Sequence, residues 1–171
     1  MKGKQGWTTL DRSEQADLNW DLADALPFPD NSVAFIYSSH VLEHFFYPQL
    51  MRLVRECRRI LKPQGVFSAC VPDASIYIQG YLNHEQFDRA RFLTYPRAVN
   101  SGARMDILNY IAYMDGHHRY MFDKVNLVET LSRAGFAAVR LREFDPALDL
   151  QHRDYESIYA VGIKPDPDAG E

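Results

Sequence analysis

The sequence predicts an α/β fold: a three-layer sandwich of helices around a mostly parallel sheet, with an antiparallel hairpin at its C-terminal end. The best support lies between Leu26 and Pro72. An apolar run, a segment with helical periodicity and a second apolar run follow one another there, which indicates the order strand, crossover helix, strand. Ligands of such sheets bind beyond the carboxyl ends of the strands.

The first apolar run predicts a strand over residues 33–38 that is buried on both faces, as strands of parallel sheets are. Two polar residues, Ser39 and His40, follow it directly. The second run predicts a strand over 65–71, with Asp73 just beyond its end. Because the carboxyl ends of parallel strands meet at one edge of a sheet, we expect Ser39, His40 and Asp73 near one site.

The segment between the two runs has the periodicity of an amphipathic helix. Pro48 suits its first turn, and Pro63 and Gly65 end it. Arginines lie on the other side, where we expect them in solvent rather than on nucleic acid. The apolar residues form a single stripe at helical spacing: Leu50, Leu53, Val54, Cys57, Ile60 and Leu61.

The remaining elements are predicted from shorter patterns. Asp123 suits a helix N-cap, and Gly135 suits the residue after that helix. The last two apolar runs have no helical pattern between them, so we expect an antiparallel pair joined by the loop 145–156. The predicted segments are short strands over 7–11 and 18–22, helices over 74–82 and 105–114, and strands over 137–144 and 157–164.

Residues 83–116 form an irregular, locally basic insert within a predicted single domain of residues 1–171. A long insert between regular elements is often a lid or a substrate-binding segment. The alternative is a subdomain that only packs against the core, and both interpretations stay open. Residues 165–171 are predicted to be a loose acidic tail.

Composition and charge exclude several classes of protein. The net charge of -4 and the isoelectric point near 5.8 give no general attraction to nucleic acid. No apolar run is long enough to span a bilayer, so we expect no membrane insertion. The 2 cysteines, Cys57 and Cys70, lie inside apolar patterns, which favours buried thiols in a reducing compartment. We therefore expect a soluble, cytoplasmic protein.

Several short motifs follow one another along the chain: 6–11 (GWTTLD), 21–22 (DL) with 26–32 (LPFPDNS), 38–44 (SSHVLEH), 61–65 (LKPQG), and 118–122 (HRYMF) leading to 134–136 (AGF). In their order and spacing these motifs resemble the class I S-adenosylmethionine-dependent methyltransferases, in particular the type 11 group. The resemblance implies a Rossmann-like sheet, S-adenosylmethionine as cofactor and a small molecule as methyl acceptor. The arginines of the insert favour an anionic acceptor, such as a sugar or a lipid-linked precursor.

The resemblance also implies which residues bind the cofactor. The acid that closes the second strand of the family usually binds the ribose, and here that residue is Asp11. The acid after the third strand lies by the adenine, and here it is Asp21, with Leu22 packing on the ring. Ser39 and His40 follow the fourth strand of the family and are expected along the methionine end of the cofactor.

Methyl transfer is an in-line displacement, for which an enzyme mainly has to align donor and acceptor. A base is needed only where the acceptor must lose a proton, and histidine suits that task at neutral pH. The resemblance places His40 and His44 along the acceptor pocket and His118 at its border. The candidate catalytic residues are therefore His40, His44 and His118.

Residues 40–44 (HVLEH) also match H-x-x-E-H, the inverted zinc-protease pattern. On a helix, His40 and His44 would share a face and could bind one zinc ion. A motif with three fixed positions occurs often by chance, and the strand before it argues against a protease. We therefore expect no metal site.

One part of the family pattern is missing from this sequence. In the family, a first strand and a Gly-rich loop precede the motif 6–11, whereas only residues 1–5 stand before it here. The strand 33–38 would then lose one lateral partner, so we expect a gap there or a second copy of the chain in a homo-oligomer. Those glycines let the backbone approach the cofactor, so the alternative function is a non-catalytic methyltransferase-like scaffold that has lost cofactor binding.

Overall fold

The computed structural model describes residues 6–167, so residues 1–5 and the end of the predicted tail, 168–171, lie outside it. None of the helices it describes is both long and apolar enough to cross a bilayer. The strands are β1 (Leu10–Asp11), β2 (Leu18–Asn19), β3 (Val33–Ser39), β4 (Leu61–Pro72), β5 (Ala137–Leu141) and β6 (Ser157–Ile163). The α-helices are α1 (Tyr47–Ile60), α2 (Ala74–Leu82), α3 (Arg89–Phe92), α4 (Met105–Tyr113) and α5 (Lys124–Arg133).

The main sheet has four strands in the order β3-β4-β6-β5. β3 runs parallel to β4, with Ser39 opposite Cys70, whereas β6 is antiparallel to both β4 and β5. The predicted α/β class and the C-terminal antiparallel pair are confirmed. Three of the four strands run in the same direction, and β6, which lies between β4 and β5, runs opposite to both, so the sheet is mixed.

β3 is an edge strand, which confirms the predicted gap in the sheet within residues 6–167. The N–H of His40, just after β3, bonds to the carbonyl of Cys70 on β4 at 2.9 Å. Main-chain groups of successive strand residues point to opposite edges, so those of Phe35 and Tyr37 turn away from β4. A cavity of about 620 Å³ lies on that open side, between β3 and residues 6–10.

The expectation that β3 is buried on both faces is wrong. Ala34 and Phe35 are exposed and the rest of the strand is only partly buried, because no strand covers its outer edge. The ring of Trp7 meets that of Phe35 edge-on, with centroids 5.7 Å apart. The predicted strands 7–11 and 18–22 shrink to the two-residue strands β1 and β2, which pair in parallel in a separate small sheet.

Helix α1 packs on the main sheet through the stripe that the sequence predicts. All six residues of the stripe are buried, from 0% exposed at Leu50 to 6% at Cys57. Arg59 differs from the expectation of solvent-facing arginines. Its guanidinium bonds to Glu56 and Asp30 and to main-chain carbonyls of the loop that precedes β3. Arg59 therefore fixes that loop to α1.

The predicted helix over 74–82 is confirmed as α2, and the predicted N-cap of α5 is confirmed as well. The side chain of Asp123 accepts a hydrogen bond from the N–H of Asn126 at 2.7 Å, and Gly135 follows α5 with a φ of +92°. The insert 83–116 packs against α2, as the packing alternative requires, and its role as a lid stays a prediction. A second apolar cluster joins them, with Ala74, Tyr77, Ala98, Ile107, Tyr110 and Ile111 at its centre.

β5 ends at Leu141, short of the predicted 144, and the chain then turns around a buried carboxylate, that of Asp149. This carboxylate accepts hydrogen bonds from Arg142 at 2.5 and 2.7 Å, from the hydroxyl of Tyr37 at 2.9 Å and from the N–H of Asp145 at 2.7 Å. Burial raises the pKa of Asp149, but these hydrogen bonds, that of Arg142 first, outweigh burial and hold the pKa below its ordinary value.

We expect Asp149→Asn to lower the free energy of unfolding at pH 7 by about 3 kcal/mol. This is the lower end of the range for a broken buried ion pair, because Arg142 keeps 16% of its side chain exposed. The pKa of Asp149 is lower in the folded state than in the unfolded chain. Its contribution to the free energy of unfolding is therefore lost as the pH falls below the ordinary value of 3.8. Urea unfolding of the unchanged protein and of Asp149→Asn measures the difference in their free energy of unfolding at pH 7. The same measurement at pH 3 should give a smaller difference.

Glu129→Gln is the matched control, because it removes the exposed ion pair of Glu129 with Arg133. Exposed pairs contribute little to stability, so this variant should unfold almost like the unchanged protein. Equal stability of the two variants at pH 7 would contradict the role assigned to Asp149.

Candidate active site

The tip of β3 redirects the chain into the candidate site. His40 follows the strand with a φ of +51°, in the left-handed region that residues other than glycine rarely adopt. A single 3-10 turn, Leu42–His44, comes next, and α1 begins only at Tyr47. His40 and His44 therefore do not lie on one face of an α-helix, and the helical geometry considered for the H-x-x-E-H pattern is wrong.

A cavity of about 370 Å³ lies beside this turn. It brings together residues of three chain segments that the sequence predicts at the site. Ser39, which ends β3 opposite Cys70, and His118, which is buried, are not among the lining residues. The predicted site residues that line the cavity are Asp11, Asp21, Leu22, His40 and His44, together with Arg12, Trp20, Ala23, Val41, Phe45 and Gln49.

The two acids on the β1–β2 side of the cavity have different surroundings. Asp11 accepts a hydrogen bond from the N–H of Ser13 at 2.8 Å and is exposed. Asp21 forms an ion pair with Arg12 and also accepts a hydrogen bond from the N–H of Ala23 at 2.9 Å. The hydrogen bond from Arg12 is the main reason why the pKa of Asp21 is lower than usual. Asp21 is therefore ionised at neutral pH. Its partner Arg12 also lines the cavity.

On the other side, three histidines surround one buried acid, Glu43, whose side chain is only 3% exposed. The atoms His40 Nδ1 and His44 Nε2 lie 3.6 and 3.9 Å from Glu43 Oε1, and the rings of His44 and His118 meet edge-on at 5.2 Å. Burial raises the pKa of Glu43 to about 8, and it lowers the pKa of His40 to about 3 and that of His118 to about 4. His40 and His118 are therefore uncharged at neutral pH.

The tautomer of His40 follows from its neighbour Ser157. The hydroxyl of Ser157 donates its one proton to the carbonyl of Arg153 at 2.7 Å. Nε2 of His40 lies 2.9 Å from the same hydroxyl oxygen, so it must donate to it and carry the ring proton. Nδ1 of His40 is then the atom with a free lone pair.

Glu43, at the centre of this group, is a residue that the sequence analysis did not select as a site residue. Its main-chain carbonyl accepts hydrogen bonds from the N–H groups of Arg119 and Tyr120, at 2.8 and 3.1 Å, and these bonds bring His118 to the turn after β3. The contact joins segments far apart in the chain, which no local pattern predicts. The one available signal was the acid inside the apolar stretch VLEH.

The comparisons with known proteins point to one family. Residues 8–69 match the model of the type 11 family, which is described as a methyltransferase domain. The matched segment contains Asp11, Asp21, Leu22, His40 and His44, the five predicted residues that line the cavity. No curated protein matches the sequence.

Solved structures show the same fold at low sequence identity. A SAM-dependent methyltransferase from Archaeoglobus fulgidus gives a TM-score of 0.55 at 14% identity, covering 91% of this chain and 74% of that chain. The complex of the Trm112 methyltransferase activator with a methyltransferase from Haloferax volcanii gives 0.52 at 16% identity, covering 94% and 72%. PigF with S-adenosylhomocysteine gives 0.51 at 14% identity, covering 84% of this chain but only 33% of PigF.

The fold is thus the Rossmann-like fold of the methyltransferases. The family model covers residues 8–69, less than half of the chain, and agrees with the resemblance to the class I S-adenosylmethionine-dependent methyltransferases of the type 11 group that the motifs indicate.

The protonation of His40 can be tested by NMR titration of the histidine ring protons in the presence of EDTA. Since burial holds the pKa of His40 at about 3, its resonance should not move between pH 8 and pH 5. His40→Gln identifies the resonance by its disappearance. A midpoint near the ordinary value of 6.5 would contradict the burial of this ring.

Proposed function

We propose that the chain binds S-adenosylmethionine in the cavity at the tip of β3 and transfers its methyl group to a small-molecule acceptor. The observation that carries the proposal is that five residues implied by the family resemblance line one cavity, although they come from three separate segments. Its volume of about 370 Å³ lies within the range of about 300–1,000 Å³ for pockets that hold small ligands.

The residues of the cavity suit the parts of this cofactor. Asp11 offers an exposed carboxylate to the ribose hydroxyls, and Leu22 and Val41 offer apolar surface to the adenine ring. The ionised Asp21 favours a cationic ligand, while Arg12 beside it is positioned to pair with a carboxylate. These are the groups that would hold the cofactor in this chain.

The cofactor supplies a methyl group on a positively charged sulfur. The protein's task is then to align the acceptor with that group and, where necessary, to take up a proton. His40 is uncharged at neutral pH and has its Nδ1 lone pair free, but its low pKa makes it a weak base. His44 also lines the cavity and its side chain is 42% exposed, so it is the alternative base.

The acceptor side is proposed from the insert 83–116 and from His118. An anionic acceptor is favoured by the arginines of the insert, of which Arg91 and Arg104 lie over aromatic rings at 5.3 and 4.7 Å. His118 remains a candidate for the acceptor border, although it is buried outside the lining of the cavity. The cytoplasmic location expected from the cysteines stays a prediction.

A non-catalytic scaffold is the second candidate function, because β3 leaves one edge of the main sheet unpaired in the described structure. In either case we propose that a second copy of the chain covers this edge. The main-chain groups of Phe35 and Tyr37 need partners there, and the adjoining cavity has an apolar lining that includes Leu10, Ile36 and Leu53. The Haloferax neighbour forms a complex with an activator protein, so a different protein partner is the rival occupant.

Calorimetric titration with S-adenosylhomocysteine tests the enzyme hypothesis. We expect measurable binding, and an affinity about tenfold lower for Asp11→Asn, because one charge-assisted hydrogen bond to the ribose is lost. Asp24→Asn is the matched control, since Asp24 is an exposed acid outside the cavity lining. No binding at millimolar ligand would support the scaffold instead.

Light scattering at several protein concentrations tests whether a second copy of the chain pairs with the open edge of β3. We expect a dimer that Phe35→Pro dissociates, because proline removes an N–H that points away from β4 and leaves the β3–β4 ladder intact. Phe35→Ala is the control, since it removes the side chain but keeps the N–H. A monomer at every concentration would refute self-association.

A further inference from the structure

Three potential metal ligands converge beside the candidate cavity: Glu43, His44 and His118. One carboxylate oxygen and one nitrogen from each ring all lie within 4.8 Å of one another, and the measured pair, Glu43 Oε1 and His44 Nε2, is 3.9 Å apart. Ligands of a tetrahedral zinc ion lie about 3.4 Å apart, given bonds of about 2.0–2.1 Å. That pair would therefore have to close by about half an ångström, and no pair by more than about 1.4 Å.

Both histidine rings are oriented by main-chain carbonyls. Nδ1 of His118 lies 2.8 Å from the carbonyl of Ile111, and Nδ1 of His44 lies 2.9 Å from the carbonyl of His117. A carbonyl can only accept, so each ring carries its proton on Nδ1 when neutral and keeps the Nε2 lone pair free. Histidines that bind metals are held in this way, with the second ring nitrogen bonded to a carbonyl or carboxylate.

Glu43 supplies an independent observation. The residue is 2% exposed, and its Oε2 has no hydrogen-bond partner within the part of the chain that the structure describes. The ring nitrogens His40 Nδ1 and His44 Nε2 lie 3.6 and 3.9 Å from its Oε1, beyond hydrogen-bond distance, and His40 is uncharged at neutral pH. An unpartnered buried carboxyl group is unfavourable, and a bound cation would satisfy it.

We propose that Glu43, His44 and His118 bind one divalent transition-metal ion, with zinc as the reference ion. Two imidazoles and one carboxylate suit zinc, iron, cobalt or nickel, whereas magnesium and calcium prefer oxygen ligands. His44 keeps 42% of its side chain exposed, so the ion can enter from solvent and retains a coordination position for water or a ligand.

This site differs from the zinc pair considered for the H-x-x-E-H pattern. His40 is not one of the three ligands, because it is not part of the group whose ligand atoms all lie within 4.8 Å of one another. Its place is taken by His118, which the chain brings in through the main-chain bonds of Arg119 and Tyr120 to Glu43. Metal binding requires neither the cofactor nor any catalytic activity. It can therefore be tested independently of the proposed function.

The experiment uses tag-free full-length chain, stripped of metal with EDTA and titrated with Zn²⁺ in a calorimeter. We expect one ion per chain and no binding of Mg²⁺ under the same conditions. Co²⁺ should also bind and give visible ligand-field bands. His118→Gln and Glu43→Gln should each weaken Zn²⁺ binding at least about 100-fold, more than the loss of an outer-sphere partner would.

His84→Gln is the matched control, because His84 is an exposed histidine outside the group. His44→Gln changes a partly exposed side chain and keeps the test decisive if the two buried variants fail to fold, which circular dichroism would reveal. The absence of Zn²⁺ binding at millimolar metal, or unchanged binding in folded His44→Gln, would overturn the proposal. A sulfur-to-cobalt charge-transfer band would assign the ion to a cysteine and overturn it as well.

Discussion

The parallel pairing of β3 with β4 is the constraint on which the rest of the structure depends. Within residues 6–167, β4 is the one strand that pairs with β3, so the register of this pair fixes where β3 ends. The bond from the N–H of His40 to the carbonyl of Cys70 closes that ladder, and the chain then turns sharply. This turn places His40, Glu43 and His44, which form one wall of the candidate site.

The cavity joins two parts of the molecule that are attached in different ways. His40 and His44 follow β3 of the main sheet, whereas Asp11 ends β1 and Asp21 follows β2 of the separate small sheet. That small sheet packs on the core through partly buried residues such as Leu10 and Leu22. Cofactor binding needs both walls at a fixed separation, so a strand that filled the gap beside β3 would also hold the acids in place. Assembly and cofactor binding are therefore expected to favour each other.

Sequence patterns predicted the elements whose signals are local. The apolar residues of α1 repeat at the helical period. Asp123 caps α5 through a hydrogen bond to Asn126, which is only three residues further along the chain. They also predicted that β3 would lack a partner, and they selected five residues that line one cavity. They could not predict the position of β6 between β4 and β5, the exposure of Phe35 or the burial of Glu43. Each of these depends on contacts between segments far apart in the chain.

The packing of the fold does not explain why position 43 carries a buried acidic side chain. Its main-chain carbonyl holds Arg119 and Tyr120, and any residue at this position could provide that carbonyl. Its carboxyl group adds no hydrogen bond through Oε2, and a buried polar group left unsatisfied costs about 1–3 kcal/mol. A packing role would be filled better by an apolar side chain. An acid facing two rings whose free nitrogens are both acceptors is, in contrast, the arrangement that a cation stabilises, since it replaces repulsion between lone pairs with three favourable bonds.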